Sequence, residues 1–172
     1  YDKLLIATGS TAFIPKTKGS DLENVIAFRT KADVDAIIST IRKDKTAVVV
    51  GSGLLGLEAA YGIAKHGIKT ILVHRSGSIL SQQLDSTGGR LLQKNLEKYG
   101  IEFKLNTTIK EISGDGIVEK VEFTDGVCVE SNLVVFATGI IPNTTLALNA
   151  SLNCNKGIVV DDFLKTSDDS IF

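Results

Sequence analysis

Three glycines at positions 51, 53 and 56 fall at G-x-G-x-x-G spacing within VVVGSGLLGLE, residues 48–58. β-Branched residues precede them and a helical apolar pattern follows. A strand turning straight into a helix is the context that gives this spacing chemical meaning. Gly51 lets the chain turn sharply off the strand. Gly53 lacks a side chain, so a diphosphate can approach the backbone, and Gly56 lets the helix pack closely on the strand. Together with Ser52, Leu54 and Leu55, these glycines offer an anion the free N–H groups and positive end of a helix. A dinucleotide site follows from this reading. The alternative is a tight turn in a sheet protein that holds no ligand.

The far end of such a nucleotide is normally gripped by an acid about 20 residues on, through its ribose hydroxyls. No acidic residue lies between Glu58 and Asp85, and the second strand ends LVHRSGS. His74 stands where the acid would be, and Arg75 follows. A carboxylate would repel a 2′-phosphate, whereas an arginine would pair with it. Two readings stay open: tolerance of or preference for NADPH, or a solvated Arg75 beside a His74 that merely bonds a ribose hydroxyl. Glu58, two residues past the last glycine, is expected in the first helical turn. Acids favour that position for electrostatic reasons alone, or it makes a polar contact near the reactive end of the cofactor.

Nothing else reads as a general acid, base or nucleophile, so no catalytic side chain is assigned. His66 and His74 have no cysteine between them, and Cys128 and Cys154 lack CxxC spacing. No metal site is expected. The cysteines are expected to be plain thiols in a reducing, cytoplasmic compartment. A net charge of −1 gives no footprint for nucleic acid or an anionic membrane. No apolar run approaches the roughly 18 residues of a membrane span.

The elements that must position these residues can be read from periodicity. Lys3–Ala7 reads as a short buried strand ending in Thr8-Gly9, and residues 11–28 as irregular. Thr30 caps a helix through TKAD, a capping box with Asp in the fourth place, and Val34, Ile37, Ile38 and Ile41 form its apolar face. Thr46–Val50 has no polar alternation, as in a parallel strand buried on both sides. The helix from about Leu54 ends at Gly67, and Thr70–Val73 is the next strand. A helix over about Ser86–Tyr99 follows, with Leu91, Leu92, Leu96 and Tyr99 on its apolar side, and then the strand Ile101–Leu105.

The period then changes. Ile109–Ile112, Ile117–Phe123 and Val127–Val129 are short, alternating and separated by GDG and TDG, which predicts an antiparallel meander. Leu133–Ala137 returns to an apolar strand ending in Thr138-Gly139. The expected fold class is α/β: a Rossmann-like parallel sheet in which a three-stranded antiparallel meander replaces one crossover helix.

GSGLLGLEAA, the two strand-ATG segments at 7–9 and 137–139, and GIVVDDFLKTSDDSIF together resemble the FAD- and NAD(P)H-dependent pyridine nucleotide–disulfide oxidoreductases over essentially the whole chain. Within that family, SQQLDSTGGRLLQKNLEKYGIEF is most similar to the flavoprotein part of NAD(P)H-nitrite reductase large subunits. The rubredoxin- and ferredoxin-reductase branch and the NADH oxidases are close.

The resemblance implies an NAD(P)H-binding domain at 44–140, flanked by a partial FAD-domain segment and linker helix at 1–43 and a truncated return to the FAD domain at 141–172. The first FAD glycine motif is expected upstream of Tyr1 and a Gly-Asp downstream of Phe172, so the chain is expected to be a fragment. Thr8 and Gly9 would serve the FAD side, Thr138 and Gly139 the nicotinamide nucleotide, and Glu58 the flavin–nicotinamide contact. The implied reaction passes a hydride from NAD(P)H to FAD and on to an unnamed acceptor. The expected partners are that acceptor and the rest of the same chain, its FAD and C-terminal domains. The runner-up is a non-catalytic NAD(H)-sensing module.

Overall fold

Val48 and Val49 are neighbours in one strand and point to opposite faces, yet both are wholly shielded from solvent. Only a strand covered on both sides does this. The computed structural model describes residues 1–172. In chain order its elements begin with β1 (Ser10–Ala12), β2 (Val25–Ala27), α1 (Lys31–Thr40), β3 (Thr46–Val50), α2 (Leu54–Lys65), β4 (Lys69–His74), α3 (Ser86–Glu97) and β5 (Ile101–Leu105). There follow β6 (Ile109–Ser113), β7 (Lys120–Phe123), β8 (Cys128–Glu130), β9 (Leu133–Phe136), β10 (Ile140–Pro142) and α4 (Thr145–Asn149). The chain divides into two compact units, Phe13–Thr138 and the pair of segments Tyr1–Ala12 and Gly139–Phe172.

The larger unit is built on a five-stranded parallel sheet in the order β2-β9-β3-β4-β5. Alternate residues of its strands feed two separate cores. On one face Ala47, Val49, Leu72, Leu133 and Val135 pack with Leu57, Ala60 and Ile63 of α2 and with Ile37 of α1. On the other, Val48, Val50, Ile71, Val73, Val134 and Phe136 pack with Ile109, Ile112, Val121 and Phe123. Those last four come from the antiparallel sheet β6-β7-β8. The meander therefore covers the face a crossover helix would otherwise cover, as its alternating pattern predicts.

Thr30 caps α1 as expected: its side chain accepts from the Asp33 N–H, and the Asp33 carboxylate accepts from the Thr30 N–H. The C-terminal end of α2 is followed by Gly67 at φ +75, the left-handed position that glycine takes without strain.

Several sequence expectations need correction. Residues 11–28 are not wholly irregular, since they contain β1 and β2, and β2 adds a parallel edge strand beside β9. Three residues are too short for a readable period, and tertiary pairing alone makes them a strand. In α1 only Ile37 is buried, while Val34 and Ile38 remain exposed. In α3, Leu92 and Leu96 pack inward but Leu91 is 60% exposed, because it lies on the helix's outer face. The helix ends at Glu97, so Tyr99 falls beyond it and meets Tyr61 edge-on, with ring centroids 4.9 Å apart.

In the smaller unit β1 pairs antiparallel with β10. Lys3–Ala7 is not a buried strand there. Its backbone pairs with the other end of the chain, through the Leu4 N–H to the Ser170 carbonyl, the Ile6 N–H to the Phe172 carbonyl and the Phe172 N–H to the Leu4 carbonyl. Leu4 and Leu5 are exposed and Ile6 is only half-buried.

Candidate dinucleotide site

The parallel sheet grows in two directions from β3. The chain runs outward through α2, β4, α3 and β5, then returns through the meander to β9 on the other side of β3. The strand order thus reverses between β3 and β9. In open α/β sheets ligands bind beyond the carboxyl ends of the strands at such a reversal. The carboxyl end of β3 is the glycine turn, and that of β9 is Ala137-Thr138.

Each glycine of the turn has a distinct environment. Gly51 has φ +111, and its N–H donates to the Val73 carbonyl at 3.0 Å. A β-carbon on it would lie 2.5 Å from the Ala137 carbonyl oxygen, so the turn is wedged against the end of β9. A β-carbon on Gly56 would overlap the Gly51 carbonyl oxygen, so α2 closes on the turn without room for a methyl group. Gly53 is the opposite case: nothing lies within 4 Å of where its β-carbon would be.

Gly53 is the N-cap of α2, with φ −74, and supplies no side-chain cap. The amides of Leu54, Leu55 and Gly56 have no acceptor within the chain. Leu54 and Leu55 are 59% and 48% exposed, so this first turn of the helix faces solvent. Free amides, an uncapped twelve-residue helix and an open face at Gly53 fit a bound diphosphate. Ser52 is buried, and its carbonyl accepts from the Leu80 N–H at 3.0 Å.

At the carboxyl end of the adjacent β4, His74 is partly buried and Arg75 exposed. Burial, and then the Arg75 charge, hold the His74 imidazole below the ordinary histidine pKa of 6.5. The ring is therefore neutral at neutral pH, able to donate from one nitrogen and accept at the other. Its carbonyl accepts from the Thr107 N–H, and the Ser76 carbonyl accepts from the Asn106 N–H, which fixes the path of the loop.

Thr138 donates its hydroxyl proton to the Phe13 carbonyl at 2.6 Å, so this group is already engaged. Glu58 lies in the second turn of α2, not the first: the helix starts at Leu54 and its first turn has no acid. Glu58 lines a groove between α1 and α2 with Phe28, Val34, Ile37, Ile38 and Ile41. α1 packs on β2, which places Glu58 toward the β9 side of α2 rather than the His74 side. Within this unit, Gly51 to Gly56, His74, Arg75 and Thr138 are thus at the carboxyl ends of three adjacent strands.

Thr8, Gly9 and Gly139 belong to the smaller unit. Thr8 donates to the Asn143 carbonyl at 2.7 Å, while the Asn143 side-chain amide donates to the Thr8 carbonyl at 2.9 Å. Gly9 and Gly139 both have positive φ, 67 and 121.

Sequence reasoning missed Leu80 and Asn143. Neither residue type signals a backbone-positioning role. At Gly77 a β-carbon would lie 3.0 Å from the Asn106 side-chain oxygen, so the 75–84 loop passes close to Asn106. No helix is long and apolar enough to cross a membrane.

A family model described as pyridine nucleotide-disulphide oxidoreductase matches residues 1–172. A nitrite reductase (NAD(P)H) of Bacillus subtilis (strain 168) is 45% identical over 166 residues, covering 96% of this chain and 21% of that protein. An assimilatory nitrate reductase electron transfer subunit of the same organism is 41% identical over 172 residues, covering 100% of this chain and 22% of its own length. Among solved structures, an FAD-dependent pyridine nucleotide-disulphide oxidoreductase from Desulfovibrio vulgaris matches with a TM-score of 0.86 at 32% identity. That match covers 100% of this chain and 45% of the solved one. The chain thus spans 21% and 22% of the length of these two curated relatives.

Proposed function

Because this chain belongs to the pyridine nucleotide-disulphide oxidoreductase family, we propose that it is the NAD(P)H-binding portion of a flavin-dependent oxidoreductase resembling nitrite reductase. The observation that carries this is the bare, uncapped turn at Gly53, set at the strand-order reversal between β3 and β9. In this reading the amides of Gly53, Leu54 and Leu55 hold the diphosphate, with Gly51, Ser52 and Gly56 shaping the turn around it. His74 and Arg75 take the adenosine end, and the Arg75 guanidinium favours a 2′-phosphate. Thr138, Gly139 and Glu58 serve the nicotinamide end, and Thr8 and Gly9 the flavin side.

When bound, the nicotinamide would supply a hydride to FAD, and the electrons would continue to an acceptor. The chain contributes position rather than proton transfer: it orients one face of the nucleotide and shields it from water. We assign residues 44–140 to NAD(P)H binding, 1–43 to a partial FAD-domain segment and linker helix, and 141–172 to the return into the FAD domain; within 1–43, β2 is the edge strand of the parallel sheet and α1 packs on one face of it. The remainder of its own chain is then the main partner. Two free cysteines support a reducing, cytoplasmic setting.

The test is titration of the chain with NADH and with NADPH, followed by nicotinamide fluorescence. The parent should bind at least one nucleotide, and Gly53→Asp should bind neither. A folded parent that binds neither nucleotide overturns the proposal.

A further inference from the structure

Leu80 is the least expected residue around the glycine turn. It is 7% exposed and has φ +47, a left-handed conformation that leucine rarely adopts. Leucine also lacks the polar side chain by which asparagine or aspartate eases that conformation. Such strain persists only where the surroundings over-determine it, and here they do. The Leu80 carbonyl accepts from both Gln83 and Leu84, at 2.8 and 2.9 Å. The preceding Ile79 carbonyl is pressed against Gly89 of α3, where a β-carbon would lie 3.1 Å away.

The left-handed turn directs the Leu80 N–H at the Ser52 carbonyl, 3.0 Å away. No peptide bond in the chain is cis. In a planar trans peptide the C=O and the following N–H point in opposite directions. The Gly53 N–H therefore points away from Leu80 and has no acceptor in the chain. Gly53 is also uncrowded, with nothing within 4 Å of where its β-carbon would be.

The geometry points to Leu80 as a positioning residue: by holding the Ser52 carbonyl it fixes the direction in which the Gly53 amide meets a diphosphate. Leu80 itself touches no ligand. Its strained backbone removes freedom that Ser52, set between Gly51 and Gly53, would otherwise have. This inference rests on the reading of residues 51–56 as a diphosphate site.

The experiment uses the full chain, 15N-labelled and titrated with ADP-ribose, which carries the diphosphate without the nicotinamide. Leu80→Val keeps an apolar side chain but opposes the left-handed backbone. It should weaken ADP-ribose binding about tenfold, the worth of one lost hydrogen bond to a preorganised site. The ligand-induced shift of the Gly53 amide should collapse, while His74 and Arg75 resonances still respond. Leu80→Gly removes the side chain but accepts the left-handed backbone, so affinity should stay within about twofold of the parent despite lower stability.

Parent-like binding by Leu80→Val overturns the inference, as does an equal loss in Leu80→Gly, which would show that side-chain packing is what matters. Should Leu80→Val not fold, leucine's α-hydroxy acid at position 80 removes the N–H and weakens as acceptor only the Ile79 carbonyl, which takes no hydrogen bond in the chain. The same tenfold loss is then expected, and unchanged affinity overturns the inference. A parent that binds neither ADP-ribose nor NAD(P)H overturns the diphosphate site itself, a separate and visible result.

Discussion

A β-carbon on Gly56 would overlap the carbonyl oxygen of Gly51, five residues earlier and across the turn that joins β3 to α2. The helix thereby starts directly on the end of the strand, and its first free amides lie at the strand-order reversal. The close approach and the candidate site are one feature, because a helix held further off would aim those amides elsewhere.

Gly56→Ala should therefore damage folding and binding together. The obstructing atom is backbone, which cannot move aside as a flexible side chain would. Overpacking of this kind costs about 1–3 kcal/mol, and a urea denaturation midpoint lowered accordingly is the expected result. A variant as stable as the parent would show that α2 can pivot freely.

Gly53→Asp should separate stability from binding. Nothing crowds Gly53 and its φ is ordinary, while aspartate is among the best N-cap residues. Stability should hold or rise by a few tenths of a kcal/mol. The carboxylate would fill the open face and repel a diphosphate, so nucleotide binding should vanish. Thermal denaturation and fluorescence titration of the same sample read both effects.

Arg75→Ala tests the choice of nucleotide. Arg75 is exposed at the end of β4, so its loss should leave the fold intact. NADPH affinity should fall about tenfold or more, the worth of a charge-assisted bond to phosphate, while NADH affinity should change little. An equal effect on both nucleotides, or on neither, would leave Arg75 as a solvated loop residue.

His74 gives a pH signature. Its folded pKa lies below 6.5, so the unfolded chain takes up a proton first as pH falls. Its contribution to stability is complete above pH 6.5 and is lost as pH falls through the lowered folded value. His74→Asn should flatten that part of the stability curve, measured by urea unfolding between neutral and mildly acidic pH. If a 2′-phosphate binds beside it, NADPH should raise the imidazole pKa in an NMR titration and NADH should not.

The glycine turn, the two buried strands around it, the meander and the capped helix at Thr30 were all legible in the sequence. Each depends on neighbours within a few positions: alternation shows a half-covered strand, an unbroken apolar run shows a fully covered one, and fixed spacing marks a cap or turn. The same local rules bring out His74 and Arg75 as departures from the expected acid. Tertiary structure alone made a strand of Val25–Ala27 and set Gly51 against Ala137. It also turned Glu58 toward α1 and twisted Leu80 into a conformation its side chain disfavours. These depend on residues distant along the chain, and a contact that overrides local preference leaves no mark in the preference it overrides.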